Sequence, residues 1–88
     1  MKRSPDFLLR QVAGKMVLVP VGAAARKFPG MVTVNASGKF IWECLEQEHT
    51  MQSLVAAMTD HYEVDAQQAQ ADAEAFLKKL MAVGAVMK

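Results

Sequence analysis

Eighty-eight residues with 52 % apolar content and a net charge of +1 predict one small domain, residues 1–88, able to fold without metal or disulfide staples while burying roughly 60–65 % of its unfolded surface. The single cysteine, Cys44, excludes an intramolecular disulfide, and no apolar run approaches the ~20 residues that cross a bilayer. The opening MKRSPDFLLRQ lacks the apolar core of a signal peptide, so a reducing cytoplasm is the expected location and no membrane partner is expected.

The charge is unevenly placed. Residues 1–30 hold six basic side chains and one acidic, and residues 31–88 hold four basic and eight acidic. The basic half reads first as a solvated strand face, and second as a surface for an acidic peptide or a phosphate backbone.

Phe7 to Val12 and Lys15 to Val21 are strand-like. In the second, Val17, Val19 and Val21 alternate with Met16 and Leu18, so both faces are apolar and the strand is expected to be covered on part of each side. Ala13-Gly14 between them is a two-residue hairpin signal. Pro20 has no amide donor and belongs at a strand end or edge. Gly22 to Lys27 is expected to be a connector. Phe28-Pro29-Gly30-Met31 carries the residues of a type II turn. Met31 to Val34 then makes a short third strand, left at an edge of the sheet.

Asn35 or Ser37 can cap the first long helix, whose apolar face is Phe40, Ile41, Cys44 and Leu45, flanked by Trp42. Gly38 costs about 1 kcal/mol inside a helix, which points to a close backbone approach. Thr50 caps a second helix with the stripe Leu54, Val55, Met58 and Tyr62. Asp65 and Gln68 form a capping-box-like start for a third. Its buried face is Ala69, Ala73, Phe76, Leu77 and Leu80, and Gly84 sits where a C-terminal glycine cap belongs. Ala85 to Met87 make a short extension. The fold class is therefore α+β: a three-stranded antiparallel sheet followed by a three-helix bundle.

No constellation carries catalysis. Cys44 shares a face with Phe40, Ile41 and Leu45 and is expected to be a small buried hydrophobe, with no base beside it. His49 falls in an interhelix loop and His61 on the wet side of the second helix, without metal-ligand spacing. The carboxylates are scattered over helix surfaces, where no cleft separates their pKa values. No phosphate-binding glycine motif is present. No catalytic residue, metal ligand or cofactor is expected. Met31, at the opening of the third strand, is the methionine best placed for an adaptable binding surface.

The stretch MVTVNASGKFIWECL resembles the strand–Asn–x–Ser/Thr–Gly–x–x–Ile–Trp–x–x–Leu pattern of PqqD-like proteins. TMQSLVAAMTDHYEVDAQQAQADAEAFLKKLMAVGAV resembles the helical remainder of the same family, and together the match covers about residues 7–87. The resemblance implies a winged-helix-like fold that recognises ribosomally made, modified peptides. Such proteins bind the leader of a precursor peptide and present it to a modifying enzyme of the radical-SAM type; the founding case serves pyrroloquinoline quinone (PQQ) biosynthesis. The basic N-terminal segment and the AAARKFPG connector depart from that founding member and are closer to free-standing relatives.

By the same resemblance, the leader adds as a strand beside Met31, Val32, Thr33 and Val34 and packs on one flank of the third helix, carried by Ala69, Asp72, Phe76 and Lys79. Which flank faces the groove stays open at this point. An exposed strand edge supports this mode independently, because its unpaired amides and carbonyls can be met by any extended chain. Proline at Val32 is expected to remove one such amide. The alternative is a winged-helix nucleic-acid-binding protein, disfavoured because Asp65, Asp72 and Glu74 accompany the glutamines and lysines of the third helix. A third reading is a homodimer paired through the edge strand.

Overall fold

A computed structural model describes residues 1–27 and 30–87. The elements in chain order are β1 (Lys2–Arg3), β2 (Phe7–Val12), β3 (Lys15–Pro20), α1 (Ala23–Lys27), β4 (Val32–Val34), α2 (Ala36–Cys44), α3 (Met51–His61), α4 (Ala66–Val83) and β5 (Val86–Met87). Strands β2, β3 and β4 form an antiparallel sheet in that order, and the long helices follow. The α+β architecture is the expected one. No helix among the described residues is long and apolar enough to cross a membrane.

The hairpin between β2 and β3 turns on Ala13 and Gly14, with φ of 52° and 80°. Two successive positive φ values are the hand of a type I′ turn, which matches strand twist. The closing pair is Val12 with Lys15, so the Lys15 amide faces β2. Backbone groups alternate along a strand. Residues 15, 17 and 19 therefore bond toward β2, and residues 16, 18 and 20 toward β4. The register of β3 with β4 joins Met16 to Val34, Val17 to Thr33 and Leu18 to Val32.

Leu18 and Val17, neighbours on opposite faces, are both buried, as two apolar faces require. Pro20 is the last residue of β3. Its missing amide lies on the β4 side, where the ladder stops, so β4 begins at Val32 and Met31 stays outside it. Phe28 and Pro29 of the expected type II turn lie outside the described residues.

The stretch expected to be a connector contains α1, so the described residues hold four helices rather than three. Its three consecutive alanines are the strongest helix formers. Arg26 and Lys27 stand in its last turn, against the negative end of the helix dipole.

The long helices start and stop on the expected chemistry. The Asn35 carboxamide oxygen accepts the Gly38 amide at 2.8 Å. Thr50 and Ser53 form a complete capping box. Asp65 accepts the Gln68 amide at 2.7 Å, but the Gln68 side chain turns forward to Asp72, so this box is half made. Gly84 closes α4 at φ 74°. The core gathers Leu18, Ile41, Leu45, Leu54, Met58 and Leu80, all fully buried. Trp42, expected as a flank, is buried too.

The two ends of the described chain pair as well. Lys2 and Arg3 are in register with Met87 and Val86. The Arg3 amide donates to Leu45 O and the Ser4 amide to Ala85 O, both at 2.8 Å. The Arg3 guanidinium lies 5.6 Å from the Trp42 ring centroid and donates to Trp42 O at 3.3 Å. Two-residue strands are too short to leave a period in the sequence, which is why this pairing was not expected.

Candidate functional site

β4 is bonded to β3 on one side only. Because Val32 and Val34 face β3, the amide and carbonyl of Thr33 face away from it. Among the described residues they have no backbone partner on that free side. Met31 stands two residues earlier, in the same phase of the alternation, and is 57 % exposed.

Beside this edge lies a concavity of about 310 Å³ lined by Thr33, Asn35, Ser37, Asp72, Ala75, Phe76 and Lys79. Its far wall is α4. The spacing along that helix explains which residues reach it. Ala69, Ala73, Phe76 and Leu80 run down one stripe and are buried. Asp72, Ala75 and Lys79, at i, i+3 and i+7, run down the adjacent stripe and face the concavity. Phe76 sits between the two and remains 8 % exposed.

Of the eight residues expected at a site, the concavity brings together Thr33, Asp72, Phe76 and Lys79. Val34 and Ala69 are buried in the core, and half-buried Val32 packs against it. Ala69 lies on the core stripe rather than the flank, about one-sixth of a turn around the helix from Asp72. Asn35, Ser37 and Ala75 line the concavity without having been expected there. The 72–75–79 spacing was a sufficient signal for Ala75. Asn35 and Ser37 were legible only as cap residues.

Gly38 fixes how the walls meet. A β-carbon there would lie 3.0 Å from Val34 Cγ1, 3.1 Å from Asn35 Oδ1 and 3.1 Å from Phe76 Cε1. The bare glycine backbone lets α2, β4 and the Phe76 ring converge at one point.

Asp72 accepts a hydrogen bond from Gln68 Nε2 at 2.9 Å, and Glu74 one from Gln70 Nε2 at 3.0 Å. Two of the glutamines that a DNA-reading helix would need are therefore engaged by carboxylates of the same helix. Neither Asp72 nor Lys79 has an ion-pair partner among the described residues.

The remaining chemistry-bearing residues lie elsewhere. Cys44 is half-buried, and burial first, then the Glu43 carboxylate, raises its pKa above the ordinary thiol value, the opposite of what a nucleophile needs. His61 is exposed and stacks on Phe40 at 4.3 Å between ring centroids. Tyr62 Oη donates to Ala36 O at 3.3 Å, tying the end of α3 to the start of α2. His49 lies before α3, with Nδ1 2.9 Å from Ser53 Oγ.

Residues 10–86 match the family described as Coenzyme PQQ synthesis protein D (PqqD). No curated protein matches the chain. Two solved structures resemble it. One is TbiB1 in complex with the TbiA(beta) leader peptide, 24 % identical over 93 % of this chain and 90 % of that one, with a TM-score of 0.69. The other is lasso peptide synthetase B1 complexed with the leader peptide, 22 % identical over 99 % and 96 %, with a TM-score of 0.71. At these identities the likeness is one of fold.

Proposed function

This chain belongs to the PqqD family, and on that premise we propose that it is a non-enzymatic peptide-binding adaptor. It takes the leader of a ribosomally made precursor as an extra strand on the free edge of β4, against the Asp72–Ala75–Lys79 flank of α4. It then presents the precursor to a modifying enzyme of the radical-SAM type. A cytoplasmic location belongs to the same proposal.

The observation that carries this reading is the outward-facing Thr33 backbone opening onto a concavity walled by α4. Main-chain bonding supplies affinity at such an edge, and the concavity supplies selectivity through alternate side chains. The two similar structures are themselves described as complexes with leader peptides.

Salt dependence separates this from nucleic-acid binding. A fluorescent leader peptide, taken from precursor genes beside this one, is expected to lose less than about tenfold in affinity between 50 and 500 mM salt. Binding that rests on many phosphate contacts falls by ~10³-fold or more over a narrower range. A steep loss for the leader, or salt-sensitive binding to duplex DNA in its place, would contradict the adaptor reading.

A further inference from the structure

We propose that the concavity selects its peptide by charge at two points: Asp72 receives a cationic side chain, Lys79 receives a carboxylate, and an apolar side chain seats between them on Ala75 and the exposed edge of Phe76. This rests on the leader-binding reading and names the class of peptide that fits it.

The geometry comes from matching two repeats. Asp72 and Lys79 are seven residues apart on α4, within about 20° of the same helix face and ~10.5 Å apart along the axis. On an extended peptide, every second residue points to the same side, so residues k, k+2 and k+4 span ~13 Å. Flexible side chains a few ångströms long close the difference between the two lengths. The small side chain of Ala75 leaves room between the charges for the k+2 residue.

Both charges are uncommitted. No ion pair among the described residues uses either, and the single hydrogen bond from Gln68 leaves an Asp72 oxygen free. The other charges of this part of α4 lie elsewhere. Glu74 and Lys78 border a different concavity, with Leu77 and Met81, on the opposite flank. The peptide therefore meets one negative and one positive group in a fixed order, and an oppositely ordered peptide meets two repulsions.

The test is selection from a display library of ten-residue peptides with alternate positions randomised. It is run on the parent protein, on Asp72→Lys combined with Lys79→Asp, and on Thr33→Pro as background. The parent is expected to enrich opposite charges four residues apart, in one order, around an apolar residue. The double variant is expected to enrich the reverse order. Matched peptides should bind about tenfold tighter than mismatched ones, the sum of two partly exposed pairs.

Enriched peptides that share an apolar anchor but no charge spacing, unchanged by the double variant, overturn the charge selection and leave strand addition standing. No enrichment over the Thr33→Pro background overturns the peptide-binding reading and the charge selection with it.

Discussion

Thr33→Pro is expected to abolish leader binding while the domain stays folded. The register gives Thr33 an amide that points away from β3, and proline removes that donor and puts its ring where the added strand would lie. The lost hydrogen bond alone is worth about 1 kcal/mol, and the ring blocks its neighbours as well. We expect at least a hundredfold weakening by fluorescence anisotropy. The fold survives because proline is tolerated on an edge strand when its nitrogen faces solvent.

The paired control is Val32→Pro. The Val32 amide bonds inward to Leu18, so this substitution breaks the ladder between β3 and β4 and lowers stability outright. Thr33→Ala keeps the amide and should bind nearly as the parent does. A folded Thr33→Pro variant with parental affinity would sink strand addition at this edge.

Gly38→Val should destabilise the domain by about 3 kcal/mol, read in a urea melt. The first added carbon already meets three atoms at 3.0–3.1 Å, and valine adds two branches in a helix that disfavours them. For a chain of this size that lowers Tm by more than ~10 °C. Gly38→Ala is expected to cost much less. Alanine gains about 1 kcal/mol of helix propensity over glycine, which offsets part of the crowding. A Gly38→Val variant with parental stability would show that α2 and the Phe76 ring do not converge at this glycine.

What was legible in the sequence was local chemistry. The Ala13-Gly14 hairpin, the Asn35, Thr50 and Asp65 caps, the Gly84 stop and the five-residue core stripe of α4 all depend on residues within a few positions of one another. The edge position of the third strand was legible as well, because it is the last strand of a three-stranded meander.

What was not legible depends on phase and distance. The sequence named the edge strand but not which of its amides points outward. That follows only from counting registers back to the Ala13-Gly14 turn, and it moves the decisive position from Val32 to Thr33. Ala69 and Phe76 both fitted the core stripe and the binding flank. Packing resolves them differently, since Ala69 is sealed in and Phe76 spans both. The pairing of β1 with β5 joins residues more than eighty positions apart, and no local pattern encodes it.

The most direct test of the central claim is an amide chemical-shift map of the ¹⁵N-labelled protein titrated with leader peptides from neighbouring precursor genes. Strand addition predicts the largest shifts at Thr33 and its neighbours Met31–Val34, with a second cluster at Asp72, Ala75, Phe76 and Lys79, and little change on β2. Shifts that leave both clusters untouched, with the peptide bound elsewhere on the domain, would contradict the account.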